Sequence, residues 1–224
     1  PIKTAPVALT DHGAELITAL IFDSRGETLS VGTSAGNLYH YDVREGTRAS
    51  LSETTPVAQA GTSVTALSYL IGDRSLAVGT SAGDVSVWMP VRQAQESSTT
   101  RFRLIHQFDA HPSSVTGISP SLRDKGFISG DTQGNLFVHY STSAQTLLKL
   151  SGNHQAIRTL TFSPKADGAV ALTDQGELLT YAIQNPHPET TLATLFKPVW
   201  YEGYEGPEHV WQSSSGADDF EAKF

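Results

Sequence analysis

The residues of this chain best suited to ligate a metal or move a proton are its eight histidines. His12, His111 and His154 each stand shortly before an alternating apolar run. A ring of three imidazoles would suit a metal ion or a proton relay. The plainer reading is a hydrogen bond that recurs because the fold recurs, and these three are taken as structural residues on that ground. His40 alternates with Tyr39 and Tyr41 on a predicted strand. His139 occupies a position that elsewhere holds Tyr or Trp and reads as a packed aromatic substitute. His106 falls on a predicted outer strand, facing solvent, and His187 lies between prolines in NPHPE. Almost no helix is predicted, so no pair is set up as an HxxxH metal site.

Other chemistry is scarce. There are no cysteines, which removes thiolate zinc sites, disulfides and cysteine nucleophiles together. No phosphate-cradling GxxxxGK[ST] loop occurs and no GxGxxG opens a helix, so ATP hydrolysis is not expected of this chain. Serine is common, but no GxSxG nucleophile elbow is expected. Ser213-Ser214-Ser215 followed by Gly216 reads as linker. Asp218, Asp219 and Glu221 form a solvated acidic run. Asp23, Asp131 and Asp174 fall at turns, where Asp bonds its own backbone. Arg44, Arg48, Arg74, Arg123, Lys125 and Arg158 are available to an anion. The one local cluster, Arg123-Asp124-Lys125, carries its own acid. With a net charge of -8 and a pI near 5.4, neither nucleic acid nor an anionic lipid surface is an expected partner. The expectation is therefore a protein that is not an enzyme, with no cofactor, no metal and no catalytic residue. No run approaches 18 apolar residues, so no membrane span is expected.

What must position these residues is a repeat. VGTSAGNLYHYD at 31–42 and VGTSAGDVSVWM at 78–89 share their first six residues. SGDTQGNLFVHY at 129–140 and ALTDQGELLTYA at 171–182 are fainter copies. All four place a glycine at one point: Gly36, Gly83, Gly134 and Gly176, spaced 47, 51 and 42 residues apart. The run after each glycine ends on Tyr41, Trp88, His139 or Tyr181. Upstream lie ITALIF, VTALSY, VTGISP and IRTLTF, which alternate apolar and small residues as half-buried strands do. Between the two blocks runs a further short strand, and the tetrads TSAG, TSAG, DTQG and TDQG are tight-turn chemistry. A fourth strand is expected near 47–52, 102–108, 145–150 and 191–196. Four antiparallel strands in units of 40–50 residues make a β-propeller blade.

The expected fold is all-β, a propeller arc of about four blades near 11–52, 58–108, 110–150 and 153–196. Residues 1–196 form the blades, and 197–224 an aromatic and acidic tail. The units resemble degenerate WD-repeat blades. That resemblance implies a structural His before the first strand, as at His12, His111 and His154, and Trp-Asp closing the third. Only Trp88 keeps the Trp, and only Tyr41-Asp42 the Asp. It also implies that the outermost strand of a blade precedes the next repeat. Pro6-Val7-Ala8-Leu9-Thr10 then reads as the outer strand of a blade not in this chain, and the chain as the later part of a larger ring. Residues 93–101, QAQESSTTR, read as a solvated loop.

From Phe196 the texture changes. FKPVWYEGYEGPEHVWQSSSGADDFEAKF carries Trp200, Tyr201, Tyr204 and Trp211, the expected packing or interaction residues. This tail is similar to the segment ahead of the membrane core in a long form of the phosphate ABC transporter permease subunit. In that family a propeller-like domain follows the first membrane helix. The resemblance implies an excerpt of a membrane-anchored chain at the bacterial inner membrane, with this domain facing the periplasm. It implies a non-catalytic interaction or regulatory role in phosphate uptake. The partners it implies are a second permease subunit, an ATPase subunit and a periplasmic phosphate-binding protein. The alternative is a stand-alone WD-like scaffold for proteins. A propeller enzyme ranks last, since no repeat-aligned set of acids or ligands is present.

Overall fold

The computed structural model describes residues 8–9, 11–45, 48–92 and 100–183, with the backbone alone of Thr100, Val199 and Trp200. The chain is all-β, built as four sheets in sequence. The first blade is β1 (Ile17–Phe22), β2 (Thr28–Thr33), β3 (Asn37–Asp42) and β4 (Ser50–Pro56). The second is β5 (Val64–Tyr69), β6 (Leu76–Thr80), β7 (Val85–Arg92) and β8 (Thr100–Gln107). The third is β9 (Val115–Pro120), β10 (Gly126–Asp131), β11 (Leu136–Tyr140) and β12 (Gln145–Leu150). The fourth is β13 (Ile157–Phe162), β14 (Gly168–Thr173), β15 (Leu178–Ala182) and the two-residue β16 (Val199–Trp200). Each is an antiparallel meander in chain order, and successive blades pack face to face.

Each first strand carries a β-bulge at its second residue: Thr18, Thr65, Thr116 and Arg158. The extra residue shifts the side-chain alternation, so the first, fourth and sixth residues of the strand share a face. In β5 these are Val64, Leu67 and Tyr69, which pack against the first blade with Leu38. In β13 they are Ile157, Leu160 and Phe162, which pack against Leu136 and Ile128 of the third.

The opening residue of each first strand is a knob. Val64, Val115 and Ile157 are fully buried. Each presses on a glycine in the second strand of the preceding blade. A Cβ on Gly32 would lie 2.4 Å from Val64 Cγ1, one on Gly79 2.6 Å from Val115 Cγ1, and one on Gly130 2.8 Å from Ile157 Cδ1. Glycine is therefore required there by close approach between sheets. In the fourth blade the same position is Leu172.

The matched turn glycines serve differently. Gly83 has φ +93°, and a Cβ there would sit 2.3 Å from the His111 carbonyl oxygen. Its own carbonyl accepts the His111 N–H at 2.9 Å, so the turn of one blade anchors the entry to the next. Gly176 has the same left-handed backbone but nothing within 4 Å.

The outer strands differ from the sequence expectations. β4 lies at 50–56 rather than 47–52, and β8 takes in Thr100 and Arg101 from the supposed loop 93–101, the rest of which lies outside the described residues. The expected strand at 191–196 also lies outside them. The outer pairing of the fourth blade is made by Leu179 with Trp200 and Thr180 with Val199, beyond the boundary drawn at 196. Of the strand expected at 6–10, Ala8 and Leu9 are described and neither is in a strand. Leu9 packs on Val31, Tyr39 and Tyr41 of the first blade. Among the described residues no helix is long and apolar enough to cross a membrane.

Candidate functional site

The histidines do not form a ring. His111 is buried in the third blade, stacked on Phe137 with ring centroids 3.9 Å apart. Its Nε2 lies 2.7 Å from Ser129 Oγ, which lies 2.7 Å from His139 Nε2. His139 Nδ1 is 3.1 Å from Thr146 Oγ1, and His111 Nδ1 is 3.3 Å from Asp131 Oδ2. One arrangement of protons fits the three hydrogen bonds that run from Thr146 to His111. Thr146 donates to His139, His139 to Ser129 and Ser129 to His111, whose Nδ1–H points toward Asp131. Both imidazoles stay neutral in it. Burial favours this, pushing His111 down to about 4 despite the Asp131 carboxylate, and His139 down to about 3. Asp131 is itself held by the backbone N–H groups of Gln133 and Asn135, at 2.9 and 2.8 Å. The network ties β10, β11 and β12 to the approach to β9 and braces the blade, while His111 Nδ1 is left with a close polar contact to Asp131 rather than a hydrogen bond.

The other two predicted histidines do not repeat this. His12 is hydrogen-bonded to nearby backbone carbonyls, Glu15 O and Leu9 O, both at 3.0 Å. His154 is exposed, with φ +67°. They stand five and three residues ahead of their strands, against four for His111, so the register differs. His40, read only as one of an alternating trio, is buried, bonded through Nδ1 to Ser30 Oγ at 2.9 Å and stacked 3.7 Å from Phe102. Burial holds it down at about 4. His106 is half-buried, edge-on to Phe108 at 6.4 Å. Trp88 is half-buried and donates from Nε1 to Ser86 Oγ at 2.9 Å.

Contrary to the expectation that no GxSxG run occurs, GTSAG at 32–36 and at 79–83 spells Gly-x-Ser-x-Gly. Both serines lie in hairpin turns. Ser34 Oγ accepts the Leu16 N–H at 3.1 Å, and Ser81 Oγ accepts the Ser63 N–H at 2.9 Å. They tie a turn to the start of the first strand, and neither is bonded to a histidine. Glu53 was also missed: both its oxygens accept the Phe102 N–H at 3.0 Å, joining the outer strands of the first two blades. The signal for it was a lone acid in an otherwise uncharged strand.

A concave feature of the described surface is a cleft of about 540 Å³. It is walled by the turns between first and second strands of the first three blades. Asp23, Arg25, Glu27, Asp73 and Arg74 line it, with exposed Leu122 at its rim. The turns are built locally. Asp23 Oδ1 accepts the Glu27 and Thr28 N–H groups at 2.8 and 3.1 Å, as an Asp at a turn is expected to do. Asp73 sits at φ 53° and accepts the Ser24 N–H at 2.9 Å, linking two blades across the cleft. Two guanidinium groups and three carboxylates thus face one opening, mixed in charge, with apolar Ile71 and Leu122 beside them. The other predicted cations do not converge there. Arg44 pairs with Asp42 and holds its carboxyl down at about 2, while Arg48, Arg123, Lys125 and Arg158 are exposed elsewhere. Among the described residues no group of three potential ligands could hold a metal ion. Tyr201, Tyr204 and Trp211 lie outside the described residues, as do the side chain of Trp200 and His187.

No protein-family model and no curated protein matches the chain. Among solved structures it is similar to the β-propeller domain of Cps50 (Swd1) from Myceliophteria thermophila. The TM-score is 0.62 at 15% identity, over 76% of this chain and 52% of that one. At that identity the likeness shows the fold alone: a partial WD-like propeller. The chain spans about half the length of the propeller it matches. Fold does not by itself assign a function.

Proposed function

We propose that this chain is a protein-docking propeller, and that its docking site is the cleft between the inner turns of the first three blades. The carrying observation is the placement of Arg25 and Arg74 against Asp23, Glu27 and Asp73 beside exposed Leu122. Mixed charge around a small apolar rim suits a peptide segment that presents both signs, rather than a phosphate or a polyanion. Selection of random peptides displayed on phage tests this. Binders to the wild-type chain should lose at least about tenfold in affinity on the Arg25→Glu, Arg74→Glu double variant, about 1.4 kcal/mol. Binders indifferent to both arginines would dispose of the cleft as the site.

A second reading rests on the tail at 196–224, whose sequence is similar to the long-form phosphate ABC transporter permease. In it the propeller is the extramembrane part of that permease at the bacterial inner membrane, facing the periplasm. The cleft would then engage another transporter subunit or the phosphate-binding protein. Phosphate uptake by cells whose own copy carries Trp200→Ala and Trp211→Ala tests it. A fall in uptake with the protein still at the membrane is the expected result. Unchanged uptake, or a native product found only in the soluble fraction, would end this reading.

A further inference from the structure

Every interface between blades receives an apolar set from the incoming first strand, led by a fully buried knob. It is Val64, Leu67 and Tyr69 in the second blade, Val115 and Ile118 in the third, and Ile157, Leu160 and Phe162 in the fourth. The first blade has the same set in Ile17, Leu20 and Phe22, on the side away from the second blade. Those side chains are 41%, 63% and 52% exposed, whereas the three interior knobs are at most 1% exposed. An apolar triad of this kind left in water is an interface without its partner.

Two observations say what that partner is. The route into the first blade is the route into every later one. Val57, Phe108 and Leu150 each leave an outer strand seven residues before a knob and pack into the seam between blades. Leu9, eight residues before Ile17, packs on Val31, Tyr39 and Tyr41 in the same way. The second observation excludes a copy of this chain. Each knob needs a glycine opposite, and the exposed end of the arc offers Leu172 at that position. If even a Cβ at Gly32 would lie 2.4 Å from the incoming valine, a leucine side chain there bars a β-branched knob.

We propose that Ile17, Leu20 and Phe22 are the packing face for a further blade of the same ring, one with glycine at the place of Gly32. Such a blade seats Ile17 as Gly32 seats Val64 and covers Leu20 and Phe22. The 52% of the Swd1 propeller domain matched here leaves nearly half of that fold to supply it.

Photo-cross-linking tests this in cells that express the native full-length protein with benzoylphenylalanine in place of Leu20. The expected product is a cross-link to an antiparallel strand pair carrying glycine at that position, identified by mass spectrometry. Cross-links to the fourth blade of a second copy, to lipid, or to a segment with no blade repeat would overturn the proposal, as would no cross-link. Sedimentation of the 224-residue chain supplies an independent arm. Wild type is expected at 24.0 kDa. Leu172→Gly is expected to self-associate, and adding Ile17→Asp to return it to monomer. A wild-type dimer dissolved by Ile17→Asp, or a Leu172→Gly chain that stays monomeric, would overturn it. Neither arm depends on the cleft, so either idea can fail alone.

Discussion

Val64 and Ile17 hold the same place in neighbouring blades, yet one is wholly buried and the other 41% exposed. Their own strands share the Thr-Ala-Leu core, VTALSY against ITALIF. The difference lies across the seam. Val64 has the bare Cα of Gly32 to close against, and Ile17 has no sheet there. Burial in this molecule is thus a property of pairs of blades rather than of one strand's hydrophobicity, as expected of repeats that contact only their neighbours.

That contrast orders a mutational series. Ile157→Ala should act most strongly, since it empties a filled seam among Ile128, Leu136 and Tyr181. A loss of about 2–5 kcal/mol by urea unfolding is expected. A loss no greater than that from Ile17→Ala would erase the contrast. Gly79→Ala attacks the same kind of seam from the other side. Its Cβ would lie 2.6 Å from Val115 Cγ1, and overpacking should cost about 1–3 kcal/mol.

The two turn glycines give a paired test. Gly83→Ala and Gly176→Ala both place alanine in left-handed backbone, at roughly 1–2 kcal/mol each. Only Gly83 also meets the His111 carbonyl, so it should be the costlier change in thermal melts. Equal costs would mean that its contact with the next blade is soft. Ile17→Ala closes the series. With no seam to empty, it should stay within about 0.5 kcal/mol of wild type by urea unfolding.

Acid should sharpen the difference between the second blade and its two neighbours, the first and the third. His40, His111 and His139 are held near 4, 4 and 3, below the ordinary value of 6.5. The unfolded chain therefore takes up protons first as pH falls. The stability that these groups add to the folded state is fully present above about 6.5 and is lost progressively toward 4 and below. His139→Phe should flatten that slope, whatever it does to stability at neutral pH. An unchanged slope across urea titrations from about pH 7 to pH 4 would show that the imidazole carries no part of it. In the second blade the position of His139 is held by Trp88 and that of His40 by Val87, which have no proton to gain.

Much of this architecture could be read from residue order. Gly36, Gly83, Gly134 and Gly176 marked the blade period because a two-strand turn needs positive φ, a local demand. The alternating blocks marked the inner strands because half-buried strands alternate. The histidines were less legible. His12, His111 and His154 look equivalent in a string of letters, yet a one-residue difference in the approach to each strand separates a buried brace from an exposed turn. His40 and Ser30 gave no signal, since their contact is made across a hairpin and completed by Phe102 of another blade. The cleft was equally hidden. Asp23 and Asp73 are 50 residues apart, and only the stacking of blades brings their turns to one opening.

What the sequence determined by itself was therefore local: strand, turn, period, acidic charge, and the absence of thiol chemistry. The tertiary structure decided which glycines are needed for close approach rather than for a turn, which histidines are neutral braces, and which charges share a cleft. The physical reason is range. Backbone preferences act over a few residues, whereas a seam between sheets is set by what two distant strands present to each other across it.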